Sequence, residues 1–403
     1  MKSHFLSLTV LYFFYYHFSI PIRPEFEINT TGIAENESPF IEEALIMLTQ
    51  VKEALKNWFW QIVGQHGNSV KLIAIEEARP FDYARDDIYD KDVALSWRNN
   101  LKLRMNGTCY FLDRPSIVEP TYGYAITGLN KIAMGSVFLM NAKPSLGGYL
   151  KYRFLKKGHE ITVDTAVLFD GNVGNNYYHF FADVFNKLWL LEKYNIDKST
   201  PLIIGRKTFE TGFFQYLYKQ PEVNSYNWLI QGENDFIKSK SLFFIRPAAY
   251  DTALWEKTLA LVENLRTKAE PFRRLFLTRP ARFNRTLSNI DSLLPILEKH
   301  GFEIIDPGAL NFEEQVKLFS ESKIIAGIHG AAFTNVAFTY AKKARVLEIN
   351  ASGRTSGQLY LLAMMLQVEY FDAIMGSEMT NAKFEIPVDV FEKAIERLVD
   401  TKA

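Results

Sequence analysis

From about residue 161 onward, short apolar runs of strand length alternate with helix-length segments, the βαβ rhythm of a parallel sheet. The strand Ile161 to Phe169 leads through DGNVGNN to a helix Tyr177 to Tyr194. Then come Leu202 to Ile204, a helix near Phe209 to Tyr218 and a strand Ser241 to Ile245. A helix Thr252 to Thr267 and the loop KAEP precede a second run of the same kind. Its strands are Arg274 to Leu277, Phe302 to Ile305, Lys323 to Ile328, Ala344 to Ile349 and Val368 to Phe371. Helix caps are legible between them: Ser288 with Asp291, Asn311 with Glu314, and Gly301 just past a helix end. Pro295 inside the first of these helices implies a kink or a late start. The expected fold class is α/β, two Rossmann-like domains facing a cleft.

Residues 65–255 open with extra strands, Tyr110 to Val118, Lys131 to Met140 and Tyr149 to Leu155, broken by glycines and prolines. The expected division is therefore 1–64, an apolar segment and an amphipathic helix Ile41 to Val63; 65–255, a first domain; and 256–403, a second. A chain of 403 residues exceeds what one core usually supports, which agrees with two domains.

Charge narrows the partners. The 46 basic and 46 acidic residues cancel, which argues against a general nucleic-acid binder, since phosphate-backbone affinity needs a basic excess. A single cysteine, Cys109, excludes an intrachain disulfide framework and a cysteine zinc site. Ser3 to Ile22 is uncharged between Lys2 and Arg23, yet carries polar rings such as Tyr12 and His17; peripheral membrane contact or packing fits it better than a span. No A-x-A cleavage pattern follows it, so a removable signal peptide fits poorly.

Three segments carry candidate chemistry. In SKIIAGIHGAAFTNVAFTYAKKARVLEIN, Gly327 and Gly330 remove side chains where a strand turns into a helix beginning near Ala331. Free backbone N–H groups there, with the helix dipole, favour a diphosphate at the sheet's carboxyl edge, and His329 adds a donor. Glu348 ends the next strand at the same edge; it is placed either to accept from a ribose or to pair with a basic neighbour. The bland alternative is a close-packed turn with no ligand. In the helix Tyr177 to Tyr194, His179, Asp183 and Lys187 recur at four-residue spacing and so form a polar stripe. An imidazole with a carboxylate one turn away suits a general base, because the acid fixes the tautomer and stabilises the imidazolium; the alternative is a solvated face. In LTRPARFNRTLSNID, Arg279, Arg282 and Arg285 lie between a strand end and a helix start, where guanidinium groups chelate a diphosphate without losing charge. The D-x-D at Asp90 to Asp92 sits in a charged stretch and reads as exposed loop rather than a metal site.

These blocks, in this order, resemble glycosyltransferase family 61. They stand here as Asn176-Tyr177-Tyr178-His179 with Asp183, then Arg279 with Arg285 and Asn289, then His329-Gly330-Ala331 with Thr334 and Asn335, then Val346-Leu347-Glu348-Ile349. The likeness covers roughly residues 165–372. It departs from the family at Ile290, where Glu is common, and at Ala332, where Gly is common; Arg282 has no clear counterpart. The resemblance implies a GT-B-like architecture, with 65–255 on the acceptor side and 256–403 binding the nucleotide sugar. It also implies an inverting, metal-independent transfer to a hydroxyl of a glycan acceptor, as in cell-surface or capsular polysaccharide biosynthesis. His179 and Asp183 would be catalytic. Arg279, Arg285, Asn289, His329, Gly330, Ala331, Thr334, Asn335 and Glu348 would bind the donor. The nucleotide sugar is a co-substrate, with no cofactor and no metal expected.

Two rival functions make different demands. A nicotinamide-dependent oxidoreductase should show G-x-G-x-x-G after a strand, and that string is absent from the sequence. A sugar-binding or scaffold protein on a transferase fold would bind without turnover. The sequon at Asn284 falls inside the arginine loop, where a glycan would obstruct binding, which favours a cytoplasmic body at the inner face of a membrane over a secretory lumen with an N-terminal anchor.

Overall fold

The computed structural model describes residues 64–65, 70–76, 107–121, 123–127, 131–133, 158–171, 174–247, 251–279, 285–353 and 357–400. Outside them lie the expected features at Ser3 to Ile22, Ile41 to Val63, Asp90 to Asp92, Tyr149 to Leu155, Arg282 and Asn284. Among the described residues, no helix is long and apolar enough to cross a membrane. The chain divides into two compact units, one of residues 1–71, 112–165 and 231–242, the other of 72–111, 166–230 and 243–403.

The smaller unit is built on short antiparallel strands. Ser116–Val118 pairs with Ala125–Thr127 on one side and with residues 237–239 on the other, and Ala125–Thr127 pairs on with Lys131–Ala133. The tight turn between the first two strands is held from inside. Both carboxylate oxygens of the buried Glu119 accept from it, from the backbone N–H groups of Thr121 and Tyr124, while Gly123 supplies the positive φ.

In the larger unit, five parallel strands form the sheet that positions the candidate site: β1 (Arg273–Leu277), β2 (Glu303–Ile305), β3 (Ser322–Ile328), β4 (Arg345–Ser352) and β5 (Tyr370–Glu378). Their spatial order is β2-β1-β3-β4-β5, with every pairing parallel. β3 and β4 are buried almost throughout because both faces of a central parallel strand are covered. Alternation assigns the faces. Leu275, Leu277, Ile325, Val346 and Phe371 join one core with Phe312, Val316 and Phe319 of the helix Phe312–Ser320. Phe276, Ile324, Ala326, Leu347 and Ile349 join another with Leu293 and Leu297 of Ile290–Lys299 and Phe391 and Ile395 of Val388–Asp400. The sheet is doubly wound. With this strand order, the connection reverses direction between β1 and β3, and ligands in such sheets bind outside the carboxyl ends of the strands at that reversal.

Local signals account for several element ends. Asn311 and Glu314 form the expected reciprocal capping box, and Gly301 takes φ +68 just after Ile290–Lys299. Ser288 does not cap that helix. Its hydroxyl donates to the Phe384 carbonyl, because residues 286–287 pair as a short parallel strand with 383–384 and draw Ser288 away. Pro295 sits within a continuous helix of ten residues.

The segment 177–191 departs most from expectation. It is a chain of short turns: α-helix Tyr177–His179, π-helix Phe180–Val184, 3₁₀-helix Phe185–Lys187 and α-helix Leu188–Leu191. A wide turn followed by a tight one changes the angular register, so Lys187 leaves the polar stripe and is buried. Its Nζ donates to the Phe169 carbonyl at 2.5 Å. Similarly, the expected helix after Gly330 is a 3₁₀-helix, Ala331–Phe338, whose Phe333 to Phe338 are all buried.

Candidate functional site

The carboxyl ends of β1 and β3 are forced together by two glycines. Gly327 is paired with Leu277, and a Cβ on it would stand 2.6 Å from the Leu277 carbonyl oxygen. At Gly330 a Cβ would stand 2.7 Å from Arg279 Nη1. With both side chains missing, the Arg279 guanidinium crosses from the end of β1 and donates to the His329 carbonyl at 2.8 Å. Burial lowers the pKa of Arg279, and the neighbouring Arg285 pushes the same way. Arg279 therefore stands half-buried at the sheet reversal, with the charge of Arg285 near enough to act on it.

His329 is fixed from both sides. Its backbone N–H donates to the Ile349 carbonyl at 2.8 Å, and its Nδ1 is bonded to Glu348 Oε1. Glu348 is fully buried on the face of β4 opposite Leu347 and Ile349. Of the two partners expected for it, ribose or a basic side chain, the nearest group is instead the imidazole.

The arginine loop is clasped by a distant segment. Arg285, at φ +70, donates its N–H to the Ala382 carbonyl at 2.8 Å. Asn289 Nδ2 donates to the Ile386 carbonyl at 2.7 Å, and the Ile386 N–H donates back to Asn289 Oδ1 at 3.3 Å. The carboxamide of Asn289 thus holds the loop rather than facing outward. Asn335 is likewise engaged inside: its Oδ1 accepts from the Tyr177 hydroxyl at 2.5 Å and its Nδ2 donates to Gln315 Oε1 at 2.9 Å. Thr334 is buried beside it. Ala331 opens the 3₁₀-helix directly after the Gly330 turn.

The Tyr177 hydroxyl brings the histidine segment to this turn. Tyr177–His179 packs on Ala331–Phe338, and burial raises the Tyr177 pKa well above its ordinary value, so the phenol keeps its proton and donates. One turn on, His179 Nδ1 lies 2.8 Å from Asp183 Oδ2, both side chains about one-third exposed. Asn176 caps the turn by accepting from the His179 N–H at 3.2 Å. His179, Asp183, Arg279, Arg285 and His329 all belong to the larger unit.

Several contributors were not legible as such in the sequence: Tyr177 as a strut, Gln315 behind Asn335, the 382–386 clasp, and a buried charge group under the histidine segment. That group contains Asp170, which accepts from Gly174 N–H, Gly205 N–H and Thr208 Oγ1, and Lys187. Burial raises the Asp170 pKa against those bonds. Burial lowers Lys187 to about 8, with Asp170 and Asp183 opposing and Arg246 assisting. Between pH 8 and its unfolded value, an unfolded chain holds a proton on Lys187 that the folded chain lacks, so this group's contribution to stability rises with pH in that window. Urea unfolding should show wild type gaining about 2 kcal/mol between pH 8 and 10 relative to Lys187→Arg, which does not titrate there. Parallel pH curves for the two proteins would remove the assignment.

Among the described residues, no cluster of three or more His, Cys, Asp or Glu side chains has metal-binding geometry. Residues 177–347, less than half of the chain, match the family model described as Glycosyltransferase 61. That match supports membership of glycosyltransferase family 61 over this span. No curated protein matches the chain.

Proposed function

We infer that the protein is an inverting glycosyltransferase that moves a sugar from a nucleotide-sugar donor to a hydroxyl of a glycan acceptor. The observation that carries this reading is the Arg279–Arg285 pair at the β1/β3 reversal, beside a histidine whose backbone and ring are both fixed. Guanidinium groups chelate diphosphate oxygens and keep their charge, so such a pair suits a leaving diphosphate. Arg279, Arg285 and His329 then neutralise the leaving diphosphate without a metal ion. Asp183 holds His179 by Nδ1, so proton transfer falls to Nε2. The acceptor oxygen gives its proton to that nitrogen and bonds to the anomeric carbon. The bond from that carbon to the diphosphate oxygen breaks, and its electron pair leaves with the nucleotide. Attack from the face opposite the leaving group inverts the anomeric centre.

Asn289, Asn335, Thr334 and Glu348 serve the donor indirectly in this reading, by holding the loop and turn that face it. A GT-B assignment, with an acceptor-side N-terminal part and a role in cell-surface polysaccharide synthesis in the cytoplasm, completes it. The test is a thermal-shift and calorimetry panel of nucleotide sugars with and without chelator. One donor should stabilise the wild type equally in both conditions, and Arg285→Ala should raise its Kd by about tenfold to a hundredfold. Binding abolished by chelator would overturn the metal-free reading, and binding without turnover on any glycan acceptor would leave a sugar-binding scaffold.

A further inference from the structure

One buried carboxylate in the larger unit has no part in the proposed transfer. Asp170 is 1% exposed and stands two residues past the strand His159–Leu168. Its Oδ1 accepts from the Gly174 N–H at 2.7 Å, and its Oδ2 accepts from the Gly205 N–H at 3.1 Å and from the Thr208 hydroxyl at 2.7 Å. Lys187 sends its Nζ to the Phe169 carbonyl rather than to this carboxylate. The hydrogen-bond partners of Asp170 are therefore neutral donors from two segments: the turn that leads into Tyr177–His179, and the junction of the strand Leu202–Gly205 with the helix Arg206–Phe209.

The joint is close-fitting. A Cβ on Gly174 would stand 2.5 Å from Asp170 Oδ1 and 2.7 Å from Thr208 Cγ2, so glycine alone lets the turn come this near. Two residues on, Asn176 caps the histidine turn: its side chain accepts from the His179 N–H at 3.2 Å and its carbonyl from the Phe180 N–H at 2.8 Å. Only Asn175 separates the two anchored positions. Short contacts thus run without a break from the carboxylate to the backbone of His179. A carboxylate is costly to bury unless donors meet its oxygens, and two of the three donors here are backbone N–H groups. Its several lone pairs let one side chain fix a turn against a second segment at a single point.

We propose that Asp170 is a positioning residue for His179: it clamps the Gly174 turn onto Gly205 and Thr208, and so sets the place at which the Asn176 cap holds the histidine. The assignment rests on His179 being the proton acceptor proposed above, while the tether itself is measured without a substrate.

The experiment compares the full-length wild type with two variants that disturb the joint from opposite sides. Asp170→Asn turns one of the two acceptors into a donor that faces other donors. Gly174→Ala pushes the turn off an intact carboxylate. Amide hydrogen exchange of residues 174–180, read by mass spectrometry, should quicken about tenfold in each variant, while that of residues 322–328 in β3 keeps the wild-type rate. With the nucleotide sugar selected by the binding panel, kcat should fall about tenfold to a hundredfold, the scale of a misplacement of about 1 Å. Affinity for inorganic pyrophosphate, the probe of Arg279 and Arg285, should stay within about threefold of wild type. A merely structural role would quicken exchange in both segments and lower pyrophosphate affinity together with kcat, and that result overturns the proposal. Unchanged exchange at 174–180 overturns it too, as does faster exchange there with an unchanged kcat. Should Asp170→Asn not fold, Gly174→Ala carries the same comparison, and Thr208→Val, which removes one donor and leaves the carboxylate in place, stands behind it. A wild type that turns over no nucleotide sugar would count against the transferase reading, whereas the exchange comparison still decides the tether, so the two failures are separable.

Discussion

Replacing His179 with alanine should lower sugar transfer by about 10²- to 10⁴-fold, the usual contribution of a positioned general base, while donor affinity stays near wild type. The separation of effects follows from the geometry. His179 is held by Asp183 and by the Asn176 cap on a segment of its own, whereas Arg279 and His329 follow the ends of β1 and β3 and Arg285 lies in the loop clasped by Ala382. Steady-state kinetics with the donor found in the panel, alongside calorimetry of the same variant, provide the check. A rate within threefold of wild type would move the base elsewhere, and a matching loss of donor affinity would mean that the imidazole binds rather than reacts. Asp183→Asn should fall between the two, because an amide still orients the ring but no longer stabilises its charge.

The largest expected effect on stability comes from Gly327→Ala. A methyl at this position would meet the Leu277 carbonyl oxygen at 2.6 Å, the Leu277 Cβ at 2.7 Å and the Leu277 N at 2.9 Å, at a backbone φ of +157. None of these atoms is the loose end of a side chain. Leu277 and Gly327 are paired in adjacent central strands, so relief requires the sheet itself to part. The expected cost is about 3 kcal/mol or more, read as a shift in the urea midpoint with unchanged slope. A loss below about 1 kcal/mol would show that the two strand ends give way easily and are not the rigid platform required to aim Arg279.

The parallel sheet was legible because its strands are short apolar runs separated by capped helices, and a central strand such as Lys323 to Ile328 has few other ways to bury both faces. His329 and Glu348 were legible as neighbours for the same reason: they end adjacent strands. The fate of polar side chains was less accessible. Asn289 and Asn335 share a residue type with ligand-binding groups, yet each satisfies a partner more than 95 residues or 150 residues away in sequence, Ile386 and Tyr177 respectively. No local pattern encodes such a pairing. Lys187 was misplaced by periodicity because the π and 3₁₀ turns between Phe180 and Lys187 replace the straight helix that four-residue spacing assumes. The aromatic run FFADVF gave no local sign of it, since all of Phe180, Phe181 and Phe185 are buried under either geometry.

The clasp of residues 382–386 on the arginine loop bears on how this protein can be dissected. A fragment cut to residues 177–347 would stop inside β4, forfeit β5 and the helix Val388–Asp400, and strip the outer cover from Leu293, Leu297 and Phe276. Arg285 and Asn289 would lose their backbone partners at Ala382 and Ile386 in the same stroke. Laboratory excision should therefore respect the far carboxyl-terminal helix, because the shape of the arginine loop is dictated by chain that lies beyond the recognisable signature.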